Sequence, residues 1–358
     1  MTSFKKAGRP KTTYPRGTKP SLHNSQLLIS SGTPSLDALL GGLAIGSVLL
    51  VEEDAYNLYA KFLIKYFLAE GVMCGHALYV AGPSVNTGRI LKELPASVGD
   101  GSAAAPPAEH NASQPKMDIA WRYQNLPTVK SGFSNNFGHF YDLSKTMEQA
   151  RIDQVPITVL DTATMHCHDS VLQNLSQEIS KTINLGNYGT SISTPSDRNV
   201  LRLVIESFGS PLWGTEHNDI VLLCRFLHNL RALVRSAYAV AVVTVPNHLL
   251  QDEVCVRKLE RLCDAAVALE SFSGSSKDEN PLYRDYHGLF HIHKLPCLNC
   301  LVPQYPETLE LGFKLHRKKF AIEKLHLPPE LSETANRAQE DVVKKSTQHV
   351  PSKYNIDF

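Results

Sequence analysis

The chain of 358 residues is 42% hydrophobic, with 36 basic and 35 acidic side chains for a net charge of +1. That balance fits a soluble globular protein with one large α/β core or two smaller domains, and gives no global electrostatic case for nucleic acid. No apolar run approaches the roughly 20 residues that span a bilayer, so a membrane role is excluded; seven cysteines, an odd number, behind an N-terminus without a secretory apolar core point to thiols in a reducing compartment.

The first twenty residues carry Lys5, Lys6, Arg9, Lys11, Arg16 and Lys19 with no acid, and Pro10, Pro15 and Pro20 among them. Prolines at that spacing forbid a long helix, which argues against an amphipathic transit peptide and for a disordered basic arm over residues 1–26. Three roles suit such an arm: contact with RNA, a nuclear signal, or a merely solvated tail.

Residues 27–327 read as one α/β domain. Leu36, Leu39, Leu40 and Gly41-Gly42 lead into the apolar strand Val48-Leu49-Leu50-Val51, after which Tyr59, Phe62, Leu63, Tyr66 and Phe67 recur at helical spacing. This is the layout with which a RecA-type nucleotide-binding fold opens, although it also suits an ordinary strand and helix of any α/β protein. A phosphate loop belongs between the two. It needs glycines whose backbone N–H groups wrap the phosphates, a Lys for the β- and γ-phosphates and a Ser or Thr for Mg²⁺. Here the connection reads Glu52-Glu53-Asp54-Ala55-Tyr56-Asn57-Leu58-Tyr59-Ala60. Three consecutive carboxylates are expected to repel a triphosphate, and Leu58-Tyr59-Ala60 stands where Gly-Lys-Thr would fall. The phosphate loop is degenerate, no cofactor is implied, and ATP hydrolysis by this chain alone is not expected.

Residues 76–81 form a second buried strand, closing a β-α-β unit and implying a parallel sheet. Residues 95–116, rich in Ala, Ser, Gly and Pro, read as a disordered insertion, order resumes at Trp121-Arg122-Tyr123, and residues 131–138 form a second loop. A short strand over residues 155–160 ends at Asp161, and Leu172, Leu175, Ile179 and Ile183 mark a helix. The apolar strand at 200–207 is followed by the turn Phe208-Gly209-Ser210-Pro211-Leu212-Trp213-Gly214. Next come a helix with Ile220, Leu223, Leu227, Leu230 and Val234, a strand at 240–245, and a helix with Leu259, Leu262 and Ala266. Further strands are read at 266–272, 288–294, 311–320 and 321–325. The alternation predicts a mostly parallel sheet with helices on both faces. Residues 328–358 are polar and read as a disordered tail.

Four groups of residues carry candidate chemistry. A RecA-type site needs a carboxylate at a strand end to order Mg²⁺ and water, and Glu206 and Asp161 compete for that place, although acids at strand ends are common in any α/β fold. His291, His293, Cys297 and Cys300 are the side-chain types of a Cys₂His₂ zinc site, but the two pairs lie much closer than in zinc fingers, which favours unligated residues at a strand end and no metal. His166-Cys167-His168 reads as polar surface before a helix, and no local signature marks a Cys/His nucleophile pair. Arg317, Lys318 and Lys319, with Lys314 and His316 before them, form a basic cluster on a predicted strand. It suits either contact with RNA or an acidic partner, or a solvated edge strand protected by lysines.

Nearly the whole chain resembles the family of the fourth subunit of the animal Elongator complex. The segments that carry the resemblance, in order, are GTPSLDALLGG, VLLVEEDAYNLY, KYFLAEG, IAWRYQ, FGHFYD, FGSPLWG, NPLYRDYHGL and FKLHRKKFAIEKLHLPPE. The resemblance implies a RecA-like fold with degenerate motifs, joined with the fifth and sixth Elongator subunits in a hexameric ring of two copies each and, through it, with the remaining subunits. It further implies tRNA binding by that ring, a supporting role in carboxymethyl-type modification of wobble uridine at carbon 5, and a place in the cytoplasm and nucleus. No catalytic residue carries over. The competing readings are an active RecA-like ATPase and a zinc or thiol enzyme built around Cys297 and Cys300.

Overall fold

The computed structural model describes residues 14–21, 25–83, 87–98, 137–161, 171–191, 198–214, 219–250, 253–275, 277, 283–300 and 305–325. The elements run β1 (Thr18–Pro20), β2 (Leu27–Ile29), α1 (Pro34–Leu40), β3 (Leu43–Ala44), β4 (Val48–Glu52), α2 (Ala60–Cys74), β5 (Ala77–Gly82), α3 (Arg89–Lys92), β6 (Pro95–Ser97), β7 (Tyr141–Thr146), α4 (Gln149–Ile152), β8 (Ile157–Asp161), α5 (Val171–Leu185), β9 (Leu201–Ile205), α6 (Ile220–Arg235), β10 (Ala239–Val245), α7 (Glu253–Leu262), β11 (Ala265–Ser271), β12 (Gly288–Lys294), β13 (Leu311–Leu315) and β14 (Phe320–Lys324).

Nine strands form the central sheet in the order β14-β13-β12-β11-β4-β10-β9-β5-β8. The six from β11 to β8 are parallel, and β12, β13 and β14 extend that sheet antiparallel. The first parallel strand, β4, thus lies inside the sheet between β11 and β10, as a RecA-like fold requires. Strands covered on both faces read as unbroken apolar runs, and β4, β9 and β10 are buried along their whole length.

Strand alternation divides the interior into two layers. Leu49 and Val51 of β4, Leu78 and Val80 of β5, and Val204 of β9 point to the layer that holds α1, α2 and the β13–β14 hairpin. Their neighbours Val48, Leu50, Tyr79, Leu203 and Ile205 point to the opposite layer, filled by α5, α6 and α7. The helices match their settings. Helix α5 buries Leu172, Leu175, Ile179 and Ile183 on a single stripe, whereas α2 buries eleven of its fifteen residues because strands and the small β6–β7 sheet enclose it.

Three sequence expectations need correction. The end of the basic arm is ordered: β1 pairs antiparallel with β2, and His76 Nε2 lies 2.7 Å from the Arg16 carbonyl. Gly17 makes the approach possible, since its φ of +70° suits glycine and a Cβ there would fall 2.5 Å from Cys74 Sγ. The predicted insertion at 95–116 opens with β6, paired to β7 across it. The expected strand over 311–320 stops at Leu315, and residues 316–319 form a turn into β14, closed by the bond from His316 N–H to the Lys319 carbonyl at 2.8 Å. The sequence KLHRKKF hides that turn because it contains neither Gly nor Pro. Residues 1–13, 99–136, 162–170 and 326–358 lie outside the described residues, and with them Trp121-Arg122-Tyr123, His166-Cys167-His168, most of the second loop and the tail.

Candidate functional site

The β4–α2 connection occupies the position of a phosphate loop, and its own side chain fills it. Asn57 takes a left-handed backbone, φ 49°, which asparagine tolerates better than most residues. The turn that follows brings three successive backbone N–H groups onto the Asp54 carboxylate: Leu58 N at 3.0 Å, Tyr59 N at 2.9 Å and Ala60 N at 3.3 Å. Helix N-termini leave such amides free and carry partial positive charge, which is why phosphates bind there. Asp54, 1% exposed, supplies the anion from within the chain.

The adjoining acids also turn inward. Glu53 Oε1 accepts from Ser207 Oγ at 2.8 Å and Thr244 Oγ1 at 2.5 Å, and burial raises its pKa. Glu52 Oε2 accepts from Asn247 Nδ2 at 2.8 Å; burial and the nearby Glu260 push its carboxyl up to about 8. The expectation of a carboxylate row facing a triphosphate is therefore corrected: the three acids are structural, buried and bonded. What reaches solvent is apolar, with Tyr56 59% and Leu58 55% exposed.

Of the two candidate Mg²⁺-ordering acids, the structure brings one to this place. Glu206 follows β9, two strands from β4; burial raises its pKa, Lys61 of α2 lowers it in part and Glu53 raises it further. Asp161 ends the edge strand β8, four strands from β4 and so roughly 19 Å away at about 4.8 Å per strand.

The candidate zinc residues do not converge. His291 Nε2 meets Glu270 Oε2 at 2.9 Å, Cys297 Sγ donates to the Leu295 carbonyl at 3.4 Å, and His293 faces Glu52 and Glu260 instead of the cysteines. Arg317, Lys318 and Lys319 are all exposed in the β13–β14 turn. The turn is anchored by Leu143 N–H donating to the Lys318 carbonyl at 2.8 Å, and Lys318 helps to lower the pKa of Asp142, after the hydrogen bond from Ser144. Lys314 is set apart by its ion pair with Glu323 at 3.1 Å.

One network escaped the sequence reading. Arg202 is completely buried in β9, donating to His76 Nδ1 at 3.0 Å and to the carbonyls of Ser30 at 2.9 Å and Phe67 at 3.0 Å. Beside it, Glu70 accepts from Tyr141 Oη at 2.6 Å and His139 N at 3.0 Å. Burial acts to raise the pKa of Glu70, but the bonds from His139 and Tyr141, with the Arg202 charge, outweigh it and hold the carboxyl at about 2. The available signal was an arginine inside the buried run Leu201–Ile205.

The family model described as PAXNEB protein matches residues 11–358. Elongator complex protein 4 of Danio rerio is 44% identical over 365 residues, covering 94% of this chain and 90% of the relative. The Homo sapiens protein of that name is 41% identical, covering 94% and 88%, and the Drosophila melanogaster protein 32%, covering 94% and 95%. The crystal structure of a KaiC-like protein from Pyrococcus horikoshii aligns with a TM-score of 0.47 at 12% identity, covering 83% of this chain and 98% of that one.

Proposed function

Since the chain belongs to the PAXNEB family together with proteins named Elongator complex protein 4, we propose that it is a non-catalytic RecA-like subunit of the Elongator complex. In this reading it joins the fifth and sixth subunits in a hexameric ring in the cytoplasm and nucleus. The ring binds tRNA and supports carboxymethyl-type modification of wobble uridine at carbon 5, while this subunit turns over no nucleotide.

The observation that carries the reading is the Asp54 carboxylate on the amides of Leu58, Tyr59 and Ala60. A bound phosphate would need those donors, and Tyr59 offers no charge in place of a lysine. Glu206 remains at a strand end with no triphosphate to serve. The turn between β13 and β14 exposes Arg317, Lys318 and Lys319, cations of the kind that meet phosphates. Co-expression with the fifth and sixth subunits, followed by mass measurement of the purified assembly, tests the reading. A hexamer with two copies of each is expected; a chain that stays monomeric and soluble beside both partners would contradict it.

A further inference from the structure

Outside the filled phosphate seat, the opposite side of β4 brings together three metal-ligating side chains from three elements. Glu52 ends β4, Glu260 lies on α7 and His293 on β12, and one donor atom from each lies within 4.8 Å of the others. His293 Nε2 is 3.8 Å from Glu52 Oε1, and His293 Nδ1 is 3.9 Å from Glu260 Oε1. These separations exceed hydrogen-bond length. Because only one nitrogen of the ring binds an ion, the relevant spread is that of one donor atom per residue, within 4.8 Å, against about 3.3–3.6 Å between donors around a zinc ion at about 2.0–2.2 Å, so the three side chains close inward on the ion.

Two independent features of the fold aim these groups at one point. Glu52 is 4% exposed, and its Oε1, the atom facing His293, has no hydrogen-bond partner among the described residues although buried. A buried carboxylate oxygen left bare is costly, so the place calls for a proton or a cation. The second feature is a β-bulge. Strand β12 pairs Ile292 with Val267 and then Lys294 with Ala266, leaving His293 as the extra residue with no partner opposite. Such bulges redirect a side chain, and here the redirected ring lies toward the two acids, not toward Cys297.

The electrostatics agree. Glu52 meets a second carboxyl, Glu260, and stands within reach of the charge of a third, Glu253. Arg257 of α7 is itself bonded to Glu253 at 2.8 Å. Access is graded, with side-chain exposure of 5% at Glu52, 18% at Glu260 and 39% at His293, so an ion reaches the buried oxygen past the imidazole.

We propose that Glu52, Glu260 and His293 bind one divalent transition-metal ion, with Zn²⁺ the best match to two carboxylates and an imidazole. The ion ties β4, α7 and β12 together at the edge where the parallel strands give way to antiparallel ones. The site is distinct from the phosphate seat, since Asp54 and Glu53 face away from it toward α2 and β9.

Calorimetric titration of the full chain with Zn²⁺ in phosphate-free buffer at neutral pH tests this. One equivalent is expected to bind saturably. Glu52→Gln and His293→Asn should each weaken binding by more than the roughly 10–100-fold that loss of an outer-shell partner costs. A double Cys297→Ser, Cys300→Ser chain and a Cys74→Ser chain should bind as the parent does. Co²⁺ in place of Zn²⁺ should show no thiolate charge-transfer band. His293 is half exposed, so His293→Asn keeps the test valid if Glu52→Gln does not fold. Absence of saturable binding, undiminished binding by His293→Asn, or loss of binding on removing the cysteines would each overturn the proposal.

Discussion

The Asp54 carboxylate lies 2.9 Å from the backbone nitrogen of Tyr59, the residue standing where a phosphate-loop lysine would be. In a nucleotide-binding fold a phosphate would accept from amides at that position. Here the chain carries its own acceptor, which stabilises α2 without leaving the seat open. A site that has merely lost its lysine differs from one whose donors are taken, and the difference is measurable.

Asp54→Ala leaves three amides at the start of α2 unsatisfied, two of them on the buried residues Tyr59 and Ala60. Denaturant unfolding should show a loss of about 2 kcal/mol, the upper end for removal of a helix cap. Added sulfate or phosphate should then restore part of the melting temperature to the variant and little to the parent. Equal responses to anion in both would mean that the amides are not an anion seat.

Glu70 makes stability depend on acid. Its carboxyl is held at about 2 in the fold, against an ordinary value of 4.5. The unfolded chain therefore binds the proton more readily, and the stabilisation is fully present above pH 4.5 and lost as pH falls toward 2. The gap is worth on the order of 3 kcal/mol. Unfolding curves between pH 6 and pH 2.5 should be flatter for Glu70→Gln than for the parent. Tyr141→Phe, which removes the donor at 2.6 Å, should move the acid loss to higher pH. A parent and Glu70→Gln with the same pH slope would assign the acid sensitivity elsewhere.

Because Arg317, Lys318 and Lys319 sit in an exposed turn, changing all three to Ala should leave the fold and its assembly intact. Affinity of the assembled ring for tRNA should fall, and the slope of log affinity against log salt should shrink by up to about 0.7–0.9 for each phosphate no longer neutralised. Different tRNAs should lose affinity about equally, since cations that meet only phosphates carry no sequence information. Unchanged affinity and slope would move RNA binding to another surface, and failure to assemble would place the turn in a protein interface.

The doubly covered strands β4, β5, β9 and β10 were legible because burial on both faces leaves an apolar run that polar neighbours delimit, and α5 and α6 because their stripes repeat at helical spacing. What periodicity cannot carry was missed. Strands β1 and β6 are three residues each, too short to show a period, and β6 forms only through β7, distant in the chain. The His316–Lys319 turn lacks a turn residue, so it passes for a continued strand. At the site, the missing phosphate loop was plain, but the direction of the acids was not. Asp54 meets the first amides of α2 through the turn at Asn57, and Glu52 departs from Glu53 because successive strand residues face opposite sides. Glu206 and Asp161 end apolar strands alike, and only the strand order separates them. Arg202 and Glu70 meet through folding alone.

The most direct test of a filled phosphate seat is equilibrium binding of MgATP to the purified chain, followed by calorimetry up to millimolar nucleotide, with turnover measured on the same sample. No saturable binding and no hydrolysis above background are predicted, and Glu206→Gln should change neither. Stoichiometric MgATP binding with turnover abolished by Glu206→Gln would contradict the account, because a triphosphate would then be held where Asp54 now holds the amides.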